Sequence, residues 1–283
     1  MKDYVAENEC ILKEWREKFI NENQPLYPDC SNLGDYFAND GIMFKGNFEC
    51  EQMKGENEDI QFRRWKRTSN GEENMLWAKA PLRVLFLTKD QNTQGDIAWD
   101  VRSETYRYIS EKYKPDEMWL DTKSAFNRNL VYTLYGIFKT TADQPLGYNE
   151  FTNKEALAFV DNQIFARINC KKEVGEEKCG SAVLRKAIYH DMELLKQQIV
   201  NLDADIFVCC GLMSFIPNLL NSMGYNFKEQ DDDKWIYYDL DNNKLIINSY
   251  HLSYSGFDYN GLITAYSKFL KKHPDFINSH RKE

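Results

Sequence analysis

Three residues that could share one chemical task each follow an apolar segment of the chain. Asp90, Asn169 and His251 all lie within two residues of the end of such a segment. A carboxylate can orient a water or stabilise a developing cation. An amide can read the edge of a planar ring, and an imidazole can donate to an oxygen that becomes negative. These residue types therefore indicate a single candidate active site whose parts are far apart in sequence.

The segments that precede these residues have the pattern of buried strands. They are Arg83–Thr88, Phe165–Ile168 and Leu245–Tyr250, and a fourth run, Ile206–Gly211, ends in glycine. Apolar runs of this length without strict alternation are typical of parallel strands that are covered on both faces. Ligands of open α/β sheets bind outside the carboxyl ends of such strands. We therefore expect the three polar residues to lie at one edge of one sheet.

Helical periodicity alternates with these strands. The predicted helices are Ile11–Asn21, Val101–Tyr113, Ser124–Lys139, Lys154–Asn162, Val183–Asn201, Leu212–Met223 and Asp258–Lys272, and a further strand is predicted at Trp235–Tyr238. The alternation predicts an α/β fold of three layers, α/β/α, with a mostly parallel central sheet of about four strands. The stretch from Gln24 to Asn70 is rich in Asn, Asp, Gly and Glu, and residues 1–75 are predicted to form a partly irregular N-terminal cap. The α/β domain is then expected to span residues 76–283.

Composition restricts the class of protein. Hydrophobic residues make up 42% of the 283 residues, which is enough for a sizeable core. No apolar run approaches the roughly 18–20 residues of a membrane span, and the first residues lack the apolar stretch of a signal peptide. The sequence thus predicts a soluble, cytoplasmic protein without a membrane partner. None of the seven cysteines forms a Cys-x-x-Cys pair, so free thiols are expected and no metal site is predicted.

The charge of the chain bears on nucleic-acid binding. A net charge of −8 argues against an extended basic surface that binds the phosphates of a nucleic acid. Two local basic segments stand out, Phe62–Arg67 and Lys171–Lys172, and each is either a solvated surface or part of a basic rim. The charge alone leaves both a nucleic-acid partner and a small ligand open.

The motifs around the three polar residues resemble those of the uracil-DNA glycosylase superfamily, from about Ala80 to Leu270. The matching elements follow in order: Leu85–Asn92 with Asp90 in the acidic position, Ile168–Lys172, a long helix ending at Leu202, Ile206–Gly211, and Tyr250–Ser253. Asp40–Ile42 ahead of the first strand is similar to an uncharacterised bacterial branch of that superfamily. The last motif departs from the family's His-Pro-Ser, because Leu252 stands where the family has proline.

The resemblance implies hydrolysis of the N-glycosidic bond to uracil or a related damaged base in DNA, without a metal or organic cofactor. It implies that Asp90 positions the water and favours the cationic sugar, that His251 hydrogen-bonds the leaving base, and that Asn169 selects the base edge. Further base contacts are expected from Asn92, Trp99, Phe126 and Ser253, with Trp99 and Phe126 as stacking candidates. DNA contacts are expected from Arg63, Arg64, Lys171, Lys172, Tyr254 and Phe257, the last two as a wedge in the vacated duplex.

Two other functions fit the same residues. One is a catalytically inactive protein of the same fold that binds a nucleobase or nucleic acid, which the acidic net charge and Leu252 favour. The other is a hydrolase of free nucleosides or nucleotides, which needs no basic face for DNA. A basic rim around the site would favour polymeric DNA, and an acidic rim would favour a small ligand or no catalysis.

Overall fold

A computed structural model describes residues 2–46, 48–54, 60–69, 71–92, 98–102, 124–175, 179–212, 215–230 and 233–276. Its α-helices are α1 (Tyr4–Asn23), α2 (Glu73–Ala78), α3 (Ala125–Lys139), α4 (Asn153–Asn162), α5 (Ser181–His190), α6 (Met192–Leu202), α7 (Phe215–Ser222) and α8 (Tyr259–Lys272). Its strands are β1 (Gly41–Ile42), β2 (Phe48–Lys54), β3 (Ile60–Arg67), β4 (Val84–Thr88), β5 (Ala166–Asn169), β6 (Ile206–Cys210), β7 (Lys228–Gln230), β8 (Asp233–Asp239) and β9 (Lys244–Ser249). For β2 and β3 the description is of the backbone alone, and most of the helix predicted at Val101–Tyr113 lies outside the described residues.

The central sheet has seven strands in the order β1-β5-β4-β6-β9-β8-β7. Strands β5, β4, β6 and β9 run parallel to one another, whereas β1, β8 and β7 are antiparallel to their neighbours. The expectation of about four strands is therefore wrong for the sheet as a whole, although its parallel part has that size. The edge strands β1 and β7 are too short, at two and three residues, to leave a sequence pattern.

Helices cover both faces of this sheet, which confirms the three-layer α/β/α arrangement. Along β4, Val84 and Phe86 face a core shared with α3, α4 and α8. Leu85 and Leu87 face a second core shared with α1, α2, α5, α6 and α7. Every residue of β4 is buried because both faces are covered, and the strand therefore lacks an alternating pattern.

The helix predicted at Val183–Asn201 is in fact two helices, α5 and α6. The chain turns at Asp191, whose φ of −110° and ψ of 19° depart from helical values, and Lys18 Nζ donates to its carboxylate at 2.6 Å. Leu184 and Ile199 nevertheless belong to the same core cluster. The apolar period continues through the break because both helices pack on one face of the sheet.

The segment before residue 76 contributes to the same core. Leu12 and Trp15 of α1 are buried among residues of α6 and β4, and β1 extends the sheet beside β5. Strands β2 and β3 pair with each other as a separate two-stranded sheet. Within the ranges given above, no helix has the length and hydropathy needed to cross a bilayer.

Candidate functional site

The carboxyl ends of the parallel strands are level, and this brings the predicted site residues to one edge. The register pairs Thr88 with Asn169 and Cys210 with Ser249. Pairing continues past the strand ends, because Lys171 N donates to Lys89 O at 2.9 Å. Farther along, Gly175 N donates to Gln91 O at 2.7 Å. The loop after β4 is therefore held against the segment after β5.

Asp90 projects from this loop with a side chain that is only 9% exposed. Its Oδ2 has no hydrogen-bond partner within the described part of the chain, and Lys171 Nζ lies 3.9 Å away. Burial raises the pKa of Asp90, and the Lys171 ammonium, the Cys179 thiol and Lys89 oppose that rise. Gly175 is closely packed here, since a Cβ on it would lie 2.1 Å from Asp90 Oδ2. Asp90 is thus a confined carboxylate with an oxygen available to a ligand or water.

The loop that carries Asp90 is stabilised by its neighbour Gln91. The Gln91 amide accepts from Trp99 N at 3.1 Å and donates to Trp99 O at 2.6 Å. The backbone of Trp99 therefore lies beside the loop that carries Asp90. Asn92 is exposed, and its backbone bridges to Gly175.

Asn169 is the last residue of β5 and is fully buried. Thr88 Oγ1 lies 2.6 Å from its Oδ1, and its backbone N–H donates to Asp40 Oδ2 at 2.8 Å. Its Nδ2 has no partner among the residues that the structure describes. A buried amide N–H without a partner is costly, which makes this atom a candidate donor to a ligand.

The imidazole of His251 is half-buried beyond the end of β9. Ser253 N donates to His251 Nδ1 at 3.3 Å, and Ser253 Oγ lies 2.7 Å from the same nitrogen. Because a backbone N–H can only donate, Nδ1 carries a lone pair and the neutral ring carries its proton on Nε2. Burial lowers the pKa of His251, and the charges of Lys89 and Arg167 lower it further. His251 is therefore a neutral imidazole with an N–H to donate.

A glycine and an asparagine hold the His251 loop in place. Gly211 has a φ of +74°, and a Cβ on it would lie 2.9 Å from His251 Cβ, so only glycine allows this approach. Asn129 Nδ2 donates to Leu252 O at 2.6 Å. Leu252, which stands in the proline position of the resembled motif, is fully buried in the core. The loop is thus fixed by packing and by a side-chain hydrogen bond where the family has a proline.

The aromatic residues near His251 have different environments. The Phe126 ring lies 5.9 Å from the His251 ring, and Arg167 Cζ lies 4.5 Å from the Phe126 centroid. Tyr254 is 51% exposed, whereas Phe257 packs against the core. Of the two residues predicted to form a wedge, Tyr254 is therefore the more accessible.

Lys171 and Lys172 are buried, which fits neither of the two alternatives drawn from the sequence, a solvated surface or a basic rim. Lys171 is 7% exposed and donates to Glu173 O at 2.7 Å. Lys172 is 2% exposed and lies 2.7 Å from both carboxylate oxygens of Asp40. Both ammonium groups are turned inward because buried carboxylate or carbonyl oxygens compensate them. The side chains of Arg63 and Arg64, on β3, lie outside the described residues.

Asp40 is a site residue whose role the sequence does not reveal. It is fully buried, and its oxygens accept from Lys172, from Gln198 Nε2 at 2.8 Å and from Asn169 N. Asn8 Nδ2 donates to its backbone oxygen at 2.9 Å. The motif similarity at Asp40–Ile42 marks the position, but the partners come from distant parts of the chain. Asp40 therefore connects α1 and α6 to the end of β5.

Together, these groups could perform polar chemistry on a flat ligand. The edge offers a carboxylate oxygen, an amide donor and an imidazole donor in a partly dehydrated setting, where electrostatic interactions are strengthened. Among the side chains that the structure describes, no group of three His, Cys, Asp or Glu could hold a metal ion, and the described cysteines are free thiols. No family model matches the chain, and neither the curated proteins nor the solved structures include a significant match.

Proposed function

We propose that the protein is a DNA glycosylase that hydrolyses the N-glycosidic bond to uracil or a related damaged base. One observation carries the proposal. Asp90 Oδ2, 3.9 Å from Lys171 Nζ, and Asn169 Nδ2 are buried without a hydrogen-bond partner within the described residues, at the same sheet edge as the neutral His251 imidazole. This is the set of groups that the sequence resemblance assigns to such a reaction.

The chemistry follows from the charge that develops as the bond breaks. The sugar becomes cationic, and the Asp90 carboxylate would stabilise it and orient the attacking water. The base leaves as an anion, and His251 Nε2–H would donate to its carbonyl oxygen. Asn169 Nδ2 would donate to another base oxygen. No step in this scheme uses a metal or an organic cofactor.

The direct test is base release from uracil-containing oligonucleotides, single- and double-stranded, scored by alkaline cleavage of the abasic product. Release by the wild-type protein would support the proposal. The absence of release with both forms, and with oligonucleotides carrying other damaged bases, would contradict it.

A second candidate is a hydrolase or binder of free nucleosides or nucleotides in a cytoplasmic setting. The burial of Lys171 and Lys172 favours it, because these lysines cannot neutralise phosphates of a long strand. Free deoxyuridine distinguishes the two candidates. A glycosylase of DNA should act far faster on the oligonucleotide than on the nucleoside, and its binding should weaken steeply with salt.

Enlarging Gly175 should impair the reaction by displacing Asp90. In the Gly175→Ala variant the new Cβ would lie 2.1 Å from Asp90 Oδ2, so the carboxylate must shift. A displacement of about 1 Å can cost about 10²-fold in rate. We expect base release to fall at least about tenfold, measured under single-turnover conditions. Gly180→Ala is the matched control, since nothing lies within 4 Å of its Cβ. Equal rates of base release in the two variants would show that the packing of Gly175 against Asp90 does not matter for the reaction.

The rate should be flat near neutral pH and should fall on acidification. The reaction needs ionised Asp90, whose pKa is raised, and neutral His251, whose pKa is lowered. Protonation of His251 Nδ1 would break its bond from Ser253 N, and protonation of Asp90 would remove the anion. We expect kcat/KM to decline only below the ordinary histidine pKa of about 6.5, approaching about tenfold per pH unit. A rate that rises between about pH 6.5 and about pH 5 would contradict these roles.

A further inference from the structure

The orientation of the Asn169 amide is set by a hydroxyl from the neighbouring strand. Thr88 is 1% exposed, and its Oγ1 lies 2.6 Å from Asn169 Oδ1 and 2.9 Å from Ile168 O. The register pairs Thr88 with Asn169 across two parallel strands, so this contact is part of the rigid sheet. The backbone of Asn169 is held independently by Asp40 Oδ2.

The shorter of these contacts joins the Thr88 hydroxyl to the oxygen of the Asn169 amide. An amide oxygen can only accept, and its 2.6 Å distance from Oγ1 is ordinary for an O–H···O bond. The hydroxyl has a single proton, and the 2.6 Å contact assigns it to Asn169 Oδ1. Nδ2 must then point away from Thr88, which is where it is buried without a partner in the described structure.

We propose that Thr88 is a specificity-determining residue: it holds the Asn169 amide so that its Nδ2 donor, and not its oxygen, is presented to the ligand. This inference rests on the proposed function. With Oδ1 turned toward Thr88, Nδ2 is the amide atom left for the ligand, and an N–H can donate to a carbonyl oxygen but cannot accept from an amino group or a ring N–H. The ligand class is therefore a base with a carbonyl at the position that faces Asn169. A base with an amino group there would place donor against donor in a buried site, which is costly.

Two pairs of free bases test this at equal ring size. Uracil and cytosine differ by a carbonyl against an amino group, and so do hypoxanthine and adenine. Binding of each base to the full-length protein, measured by calorimetry or by NMR titration, needs no catalysis. We expect the wild type to favour the carbonyl member of at least one pair by about tenfold or more.

The variants isolate the hydroxyl. Thr88→Val keeps the shape of the side chain and removes the hydroxyl, so the amide can turn and the preference should fall by about tenfold. Thr88→Ser keeps the hydroxyl and should retain the preference. Undiminished discrimination in Thr88→Val would overturn the inference, as would a wild-type preference for the amino member or failure to bind either pair.

This experiment separates the inference from the proposed reaction. If the preference for a carbonyl depends on Thr88 but no oligonucleotide shows base release, the inference about Thr88 is supported and the proposed glycosylase activity is contradicted. If base release is observed but Thr88→Val discriminates between the bases as the wild type does, the glycosylase activity is supported and the role of Thr88 is contradicted. Where Thr88→Val does not fold, a wild-type preference for the amino member would still overturn the inference, and Thr88→Ala, which also removes the hydroxyl, takes the place of that variant.

Discussion

Replacing Asp90 with asparagine should lower base release by about 10²-fold or more while leaving the fold intact. General acid–base groups typically contribute 10²–10⁴-fold, and the amide cannot attract a cationic sugar as a carboxylate does. The unfolding free energy should stay constant or increase. Burial raises the pKa of Asp90, so the folded state disfavours the ionised form, and at neutral pH the neutral asparagine removes that penalty.

The matched control is Glu173→Gln, which removes one negative charge beside the same lysine. Glu173 Oε2 lies 3.5 Å from Lys171 Nζ, but its side chain is 56% exposed. We expect this variant to retain wild-type rates. Lys171 stays hydrogen-bonded in both variants because Glu173 O and Val174 O accept from it.

Single-turnover rates and chemical denaturation of the two variants distinguish a functional role of Asp90 from a structural one. Loss of activity with undiminished stability in Asp90→Asn would mark a functional carboxylate. Wild-type rates in that variant would remove Asp90 from the mechanism. If the rate falls together with the unfolding free energy, Asp90 has a structural role.

The parallel strands and the placement of the candidate site residues at their ends were predictable because each depends on local sequence. Strands β4, β5, β6 and β9 are apolar on both faces, so they stand out as short continuous runs. Residues that follow such strands lie at one edge by topology alone. Asp90, Asn169 and His251 could therefore be expected at one edge without knowledge of any tertiary contact.

What the sequence could not predict depends on partners far apart in the chain. Lys172 looks like a surface residue beside Lys171, and its burial follows only from Asp40, which is 132 positions away. Thr88 reads as an ordinary strand residue until its register with Asn169 is known. The turn at Asp191 was hidden because α5 and α6 pack on one face, so their apolar residues continue a single period.

The buried pair of Asp40 and Lys172 should be the most sensitive polar element of the fold. The two side chains are 0% and 1% exposed, and Lys172 Nζ lies 2.7 Å from each Asp40 oxygen. Asp40→Asn leaves an ammonium in the interior without a negative charge beside it, in contact with Gln198 Oε1 at 2.8 Å and with the Trp15 ring, whose centroid lies 4.9 Å away. Removing one member of such a pair typically costs about 3–5 kcal/mol. We expect that loss of unfolding free energy in Asp40→Asn and also in Lys172→Met, measured by chemical denaturation.

The double variant tests whether the cost comes from the unpaired charge. Asp40→Asn combined with Lys172→Met removes both charges, so its destabilisation should be smaller than the sum of the two single effects by more than about 1 kcal/mol. Additive effects would show that the residues contribute separately through packing. Asp143→Asn, which breaks an exposed pair with Lys271 at 3.3 Å, should change stability little. Because Asp40 Oδ2 also accepts from Asn169 N, the pair connects the stability of the core to the position of the Asn169 amide at the candidate site.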